Sequence, residues 1–229
     1  MRTETIERII DSEWQMFGHV INDGGRAGCQ DDGATFRLMR KSQLDAWADD
    51  TLESYLTDLY TAEQQQHNLI TEKYARMMES TDPAAYAALA PYLPPISGEK
   101  RALVETLVLR QVECLSRFAA RYPHVAERMR PLRSAMDTRE VTSFETYLRG
   151  ELSTYSIDTL LCMDAQLARQ GDSYGEQIMA ETAAGYGYAD VDELERRLSD
   201  SARRARPSSE TPVSHPCMTG PQSARRTTR

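Results

Sequence analysis

The stretch SFETYLRGELSTYS at residues 143–156 decides the fold class. Phe144, Leu148 and Leu152 recur every four residues, which is the spacing of one face of an α-helix. A capping-box pattern that ends at Glu145 opens this helix, which is predicted to run to about residue 170. No stretch of the chain alternates apolar and polar residues over a convincing length, so the predicted fold class is all-α.

The same helical spacing recurs on both sides of this stretch. The predicted helices cover residues 3–21, about 34–59 as one long helix or two joined ones, 69–78, a further helix from residue 83, 101–122, 143–170 and a short last helix from about residue 190. These elements predict a single-domain bundle of seven to nine helices over residues 1–200. Residues 201–229 are rich in Ser, Pro, Thr and Arg, and this composition predicts a disordered tail.

The charge of the chain divides between the predicted bundle and the predicted tail. The tail carries six of the 27 basic residues and one of the 35 acidic residues, so the bundle is more acidic than the net charge of −8 suggests. An acidic surface repels phosphate backbones, and nucleic acid is therefore not expected as a partner. We expect a cytoplasmic protein without a membrane partner, because no apolar run is long enough for a span and no secretory signal follows Met1. The oligomeric state stays open.

Several predicted helices place charged or amide side chains on their own apolar face. Glu13 lies among isoleucines and aromatic residues, Arg40 and Gln43 share a face with two aromatic rings, and Lys73 lies between a leucine and a methionine. Glu151 follows on the face beside the apolar line of the stretch at residues 143–156. An unpaired buried charge costs several kcal/mol, so residues of this kind are paired or serve a function.

Two interpretations of this pattern are open. In the first, the charged side chains form interhelical ion pairs that fix the register of the bundle, Glu145 only caps its helix, and the stem of Lys73 lies along Met77. In the second, polar groups from four helices meet in one pocket, as they do in helical bundles that bind small molecules. The number of such residues favours the second interpretation.

The pocket interpretation predicts an enzyme that acts on an amino acid or a related carboxylate by general acid–base chemistry. A lyase, an isomerase or a tailoring enzyme of specialised metabolism fits this equipment. Lys73 or Glu151 would move the proton, because desolvation lowers the pKa of lysine and raises the pKa of glutamate toward neutrality. Tyr74, Tyr147 or Tyr155 would act as the acid partner.

Side chains that bind the carboxylate substrate are predicted on three helices and one loop. They are Asn22, Arg26, Arg40, Gln43, Asn68 and Arg149. Arg26 and Arg40 would anchor the carboxylate, since a guanidinium presents two parallel donors. Arg26 follows a pair of glycines that lets backbone amides converge on an anion, although a structural loop is an equal alternative. Cys29 lies beside it, but the sequence places no histidine there to activate a thiol.

Two other functions stay open. A metal-dependent oxidase of the di-iron type is the first, because helical bundles build such sites from Glu and Glu-x-x-His pairs. None of the four histidines completes that motif, and Glu63 with His67 is the nearest arrangement. A non-catalytic ligand-binding or interaction bundle is the second. No motif implies a cofactor, no residue is predicted as a metal ligand, and the four separate cysteines are predicted to be free thiols.

Four motifs resemble those of a bacterial family that is catalogued only as a domain of unknown function. They are NDGGRAGCQ at residues 22–30, FRLMRKSQ at 36–43, NLITEKYARMMEST at 68–81 and SFETYLRGELSTYS at 143–156. The resemblance extends over roughly residues 5–185. It implies a complete single-domain member, and it supplies neither a reaction nor a set of catalytic residues. The arginine-rich tail falls outside it.

Overall fold

The structure is a computed structural model, which describes residues 1–21 and 25–204. This part of the chain contains eleven α-helices and no β-strand. They are α1 Arg2–Gly18, α2 Gly33–Asp45, α3 Asp49–Gln64, α4 Leu69–Thr81, α5 Pro83–Leu89, α6 Gly98–Arg121, α7 Pro123–Ala126, α8 Phe144–Leu152, α9 Ile157–Gln170, α10 Ser173–Gly185 and α11 Val191–Arg204. The all-α prediction is confirmed, and the predicted number of helices is too low.

One cause of the difference is that the helix predicted over residues 143–170 is two helices. The chain leaves α8 after Leu152, and the Ser156 hydroxyl oxygen then accepts a hydrogen bond from the Thr159 amide at 3.2 Å to begin α9. The start of α8 also differs from the prediction. Ser143 caps it, whereas Glu145 accepts a hydrogen bond from the Ser134 amide at 2.9 Å.

Two other helix starts follow the sequence signals. Asp82 caps α5, which begins with a proline as predicted. At the start of α11, Asp190 accepts a hydrogen bond from the Glu193 amide at 2.7 Å, and Glu193 accepts one from the Ala189 amide at 2.8 Å. This last helix continues to Arg204, so residues 201–204 are helical where the tail was predicted to begin. The rest of the predicted tail, residues 205–229, lies outside the described residues.

The apolar side chains of the helices form a large core and a smaller one. The large core is centred on fully buried side chains such as Trp47, Leu107 and Leu160. The smaller core joins the end of α6 to α7, α10 and α11, and Phe118 and Ala183 belong to it. No helix in the described ranges combines the length and the apolar character of a membrane-spanning segment.

Helices α4 and α8 approach each other closely, and a glycine makes this possible. A Cβ atom on Gly150 would lie 2.8 Å from Met77 Cγ and 2.9 Å from the Lys73 carbonyl oxygen. Any larger side chain would therefore press on the backbone of α4. The contact places the two polar side chains next to it, Lys73 on α4 and Glu151 on α8, within reach of each other.

Candidate ligand-binding site

Four buried charged side chains from four helices meet in the middle of the bundle. Arg40 on α2 donates two hydrogen bonds of 2.6 Å to the two carboxylate oxygens of Glu13 on α1. Arg40 Nη1 also lies 3.1 Å from Glu151 Oε1, and Lys73 Nζ lies 2.6 Å from Glu151 Oε2. These four residues are called the buried charge network below. Its two positive and two negative charges balance, which offsets much of the cost of removing them from water.

Neutral side chains complete the hydrogen bonds of the network. Tyr55 donates to Glu13 Oε1 at 2.7 Å, and Tyr155 donates to Glu151 Oε1 at 2.8 Å. Gln43 Oε1 accepts from Arg40 Nη1 at 2.5 Å. In the described ranges, no buried side-chain nitrogen or oxygen lacks a hydrogen-bond partner. A polar network that is satisfied in this way holds its members in one arrangement.

The network keeps the carboxylate of Glu151 ionised. Burial alone raises the pKa of Glu151, but the positive charges of Lys73 and Arg40 outweigh burial and hold this pKa far below its usual range. Burial and the nearby carboxylates raise the pKa values of Tyr55 and Tyr155, which therefore stay protonated donors. The expectation that desolvation raises the pKa of Glu151 toward neutrality is wrong, because two cations lie within hydrogen-bond distance of it.

A cavity of about 390 Å³ lies beside the network and is called the main cavity below. Helices α2, α6, α8 and α10 contribute to its walls, together with the segment after α7. Most of the surface that lines it is apolar. Its polar lining includes Arg40, Gln43, Gln111, Arg130, Tyr147 and Glu151. An apolar cavity with a few convergent polar groups is the usual form of a small-molecule site.

A second cavity of about 100 Å³, called the small cavity below, shares part of its lining with the first. Arg130, Tyr147 and Glu151 line both cavities, and Lys73 lines only the small one. The Tyr147 ring carries two cations, since Lys73 Nζ lies 3.6 Å from its centroid and Arg130 Cζ lies 4.5 Å from it. Both contacts stabilise a positive charge next to the cavities.

Arg130 differs from the other cations of the site because no carboxylate pairs with it within the described ranges. Its Nη1 donates to the Thr142 carbonyl oxygen at 3.3 Å, and its other donors have no protein acceptor there. The Tyr147 hydroxyl likewise makes no hydrogen bond to a described residue. A guanidinium with unused donors on the wall of a cavity is suited to bind an anion.

Two amide side chains add further unused hydrogen-bonding capacity to the main cavity. Gln111 is only 9% exposed, yet the sole hydrogen bond of its amide to a described residue is a weak one to Met163 Sδ at 3.9 Å. Gln43 accepts from Arg40 through its oxygen, and its amide nitrogen has no acceptor among the described residues. The polar lining therefore offers donors from Gln43, Gln111, Arg130 and Tyr147.

The sequence also matches a family model over most of its length. The model covers residues 3–196 and carries the description "Protein of unknown function (DUF4125)". The chain belongs to this family. The resemblance inferred from the four motifs is thereby confirmed. No curated protein and no solved structure matches this DUF4125 chain.

The structure brings most of the predicted catalytic residues together. Lys73 contacts both Glu151 and Tyr147, and Tyr74 lines the small cavity. Tyr155 donates to Glu151, but it is 1% exposed and belongs to the large core. The contact between Lys73 and Glu151 corresponds to the ion-pair interpretation, and the cavities beside it correspond to the pocket interpretation.

Arg26 lies away from the lining of both cavities. Its guanidinium donates to Asp31 Oδ1 at 2.8 Å, to the Gly18 carbonyl oxygen at 3.2 Å and to the Gln30 carbonyl oxygen at 2.8 Å. Gln30 reinforces this arrangement by donating to two carbonyl oxygens at the end of α1, those of Phe17 and Val20, at 2.8 and 3.0 Å. The side chain of Arg26 therefore holds the described part of the loop in place, as the structural-loop alternative predicts. Asn22 lies outside the described residues.

Asn68 and Arg149 also have structural partners in place of the predicted substrate. Asn68 caps α4 and donates to the Met16 carbonyl oxygen at 2.8 Å. Arg149 donates to both carboxylate oxygens of Glu105 at 2.7 and 3.0 Å, and to Glu145 at 3.0 Å. Of the predicted binding residues, Arg40 and Gln43 line the main cavity.

Sequence reasoning missed three residues of the site. Gln111 follows two buried residues on the apolar face of α6, so the criterion that selected Gln43 would also have selected it. Tyr55 lies at an apolar position of its helix, and the helical pattern does not show that its hydroxyl meets Glu13. Arg130 lies in an irregular segment after α7, where helical spacing gives no signal.

The described residues contain no group of three or more His, Cys, Asp or Glu side chains that could hold a metal ion. His67, which the sequence places near Glu63, contacts Glu72 Oε2 at 2.6 Å instead. Glu72 also accepts from Arg76 Nε at 2.6 Å. The oxidase alternative therefore gains no supporting observation from the described part of the chain.

Proposed function

We propose that the main cavity binds a small organic carboxylate and that Arg130 is its ionic anchor. The observation that carries this proposal is the guanidinium of Arg130 on the wall of a mainly apolar cavity, where all but one of its donor groups lack an acceptor among the described residues. A guanidinium matches the two oxygens of a carboxylate, and the hydrogen bonds are strengthened by both charges. Tyr147 and the two glutamine amides are placed to donate to the same ligand.

The buried charge network has a different role in this proposal. It joins four helices and holds Glu151 and Arg40 in fixed positions in the lining of the cavity. Lys73 and Glu151 form an ion pair, and the low pKa of Glu151 makes it a poor proton donor at neutral pH. These features favour the ligand-binding bundle over the acid–base enzyme predicted from the sequence. Tyr147 remains the predicted catalytic residue with an unused hydroxyl in the cavity lining.

Calorimetric titration with matched ligands tests the proposal. We expect 3-phenylpropionate and octanoate to bind, and 3-phenylpropan-1-ol and octan-1-ol to bind much more weakly. A carboxylate at a hundred times its Kd should add about 2.7 kcal/mol to the free energy of unfolding. An NMR time course of the same mixtures shows whether the ligand is only bound or also converted.

A pair of arginine variants locates the anchor. R130Q should weaken carboxylate binding by about 10- to 100-fold, the usual range for a hydrogen bond to a charged group. R133Q is the matched control, because Arg133 is exposed and lines neither cavity. Equal affinities for R130Q and the unaltered chain, or the same affinity for acids and alcohols, would overturn the proposal.

A further inference from the structure

The polar lining of the main cavity offers positive charge and hydrogen-bond donors, but no spare carboxylate. We infer that its ligand is a monocarboxylate with an apolar body that lacks an α-ammonium group. This inference rests on the proposed function and narrows the ligand class. The sequence predicts an amino acid or a related carboxylate, and the inference selects the carboxylate without the amine.

Glu151 is the carboxylate that the buried charge network contributes to the main cavity. Glu151 Oε1 accepts hydrogen bonds from Arg40 and Tyr155, and its Oε2 accepts one from Lys73. An ammonium group near Arg130 would have to share the single charge of Glu151 with Arg40 and Lys73, which already compensate it. It would also add a fourth positive charge beside Lys73, Arg40 and Arg130, which raises the electrostatic cost of binding.

The other carboxylates of the cavity lie on its exposed side. Asp172 is held by two hydrogen bonds from Arg117, and Glu176 lies 3.3 Å from Arg121. The side chains of Asp172 and Glu176 are 49% and 53% exposed, so water screens their charges. Neither carboxylate is therefore available to an ammonium group at the buried end of the main cavity, which Gln111 and Glu151 line.

Gln111 is the remaining acceptor on the wall of the main cavity, and it is neutral. Its amide oxygen receives no hydrogen bond from a described residue, so it can accept one from a ligand. A neutral oxygen does not compensate an ammonium group for the loss of its hydration. The same amide turned by half a rotation donates to a carboxylate, which fits a ligand that carries only negative charge.

The apolar walls define the rest of the ligand. They include three methionines, Met39, Met129 and Met179, with Phe118, Phe144 and Ile178. Methionine adapts its shape to an irregular apolar partner. At about 390 Å³ the main cavity falls in the lower part of the range of small-molecule pockets, roughly 300–1,000 Å³. Medium-chain alkyl acids and aryl-alkyl acids have this size and shape.

Two pairs of ligands that differ only in the α-ammonium group test the inference by calorimetry on the full chain. They are 3-phenylpropionate against phenylalanine, and octanoate against 2-aminooctanoate. We expect the acid without the amine to bind at least about tenfold more tightly in each pair. Phenylalanine that binds as tightly as 3-phenylpropionate, and loses affinity in R130Q, would overturn the inference while the proposed function stands. If no member of either pair binds, the proposed function fails and the inference fails with it.

A charge introduced at Gln111 gives a second readout. Q111E places a carboxylate at the buried end, so it should weaken 3-phenylpropionate and reduce or reverse the preference over phenylalanine. Q177E is the matched control, since Gln177 is exposed on α10 and lines neither cavity. A preference that is unchanged in a folded Q111E would contradict the placement of the ligand head beside Gln111.

Discussion

Lys73 and Glu151 are joined twice, once through their side chains and once through the packing of their helices. Lys73 Nζ lies 2.6 Å from Glu151 Oε2, and the Lys73 carbonyl oxygen lies against the space where Gly150 lacks a side chain. The close approach of α4 and α8 thus brings Lys73 and Glu151 within reach of each other, and their ion pair stabilises the packing of the two helices. This arrangement makes the buried charge network part of the fold.

Removal of the Glu151 charge should destabilise the chain strongly. E151Q leaves Lys73 and Arg40 without one of their carboxylates in the interior, and breaking a buried pair costs about 3–5 kcal/mol. Urea unfolding followed by circular dichroism measures this loss. E105Q is the control, because Glu105 pairs with Arg149 at a half-exposed site where about 0–1 kcal/mol is expected. Similar losses in the two variants would show that the network does not hold the fold together.

Gly150 should not tolerate alanine. The added Cβ would lie 2.9 Å from a backbone oxygen of α4, which cannot move independently of its helix, so G150A should cost about 1–3 kcal/mol. G175A on α10 is the matched control, since nothing lies within 4 Å of its Cβ position. That variant should gain up to about 1 kcal/mol from helix propensity. A G150A variant that is more stable than the unaltered chain would contradict the close approach of α4 and α8.

Asp137 should contribute to stability at neutral pH and lose that contribution in acid. Burial raises its pKa, but hydrogen bonds from Ser80, Thr146 and Ser143 outweigh burial and lower the pKa below the ordinary 3.8. Asp137 therefore binds a proton more readily in the unfolded chain than in the folded chain. Its contribution to the free energy of unfolding is fully present above pH 3.8, and it is lost as the pH falls through the lower pKa of the folded state.

Urea unfolding at several pH values tests this titration. D137N should be less stable than the unaltered chain by about 1–2 kcal/mol at pH 7, and the difference should shrink below pH 3.8. D200N is the control, because Asp200 is exposed on α11. A difference for D137N that is constant from pH 7 to pH 3 would show that the charge of Asp137 is not involved.

Gln30 should matter for stability and not for the ligand. It is 1% exposed and bonds the carbonyl oxygens of Phe17 and Val20 at the end of α1, so Q30A should cost about 1–3 kcal/mol. Q15A, at an exposed position of α1, should be nearly neutral. Titration with 3-phenylpropionate should give the same Kd for both variants at a temperature where both are folded. A selective loss of affinity in Q30A would place the loop in the binding site.

Helical periodicity predicted much of the fold, and its failures have a local cause. The break between α8 and α9 was missed because Leu152 and Tyr155, which flank it, are both buried and keep helical spacing across it. Only the local hydrogen bond of the Ser156 hydroxyl marks the new start. At Asp82 and Pro83, by contrast, the cap and the proline are adjacent in the sequence, and the predicted start is confirmed.

The sequence showed that several charged side chains are buried, but it did not show which of them meet. Arg40, Lys73 and Glu151 stand out because each interrupts or borders an apolar face. The pKa of Glu151 depends on Arg40, which lies 111 positions away in the chain, so a local pattern gives the wrong direction. Arg130 is conspicuous only in three dimensions, through the absence of a carboxylate beside it in the described ranges.

Carboxylate binding at Arg130 is tested most directly by a crystal structure of the chain with 3-(4-bromophenyl)propionate. We expect the anomalous signal of the bromine to lie among Met129, Phe118 and Met179, and the carboxylate oxygens to lie within hydrogen-bond distance of the Arg130 guanidinium. A bromine outside the main cavity, or a carboxylate that contacts other residues and leaves Arg130 without an anion, would contradict this assignment.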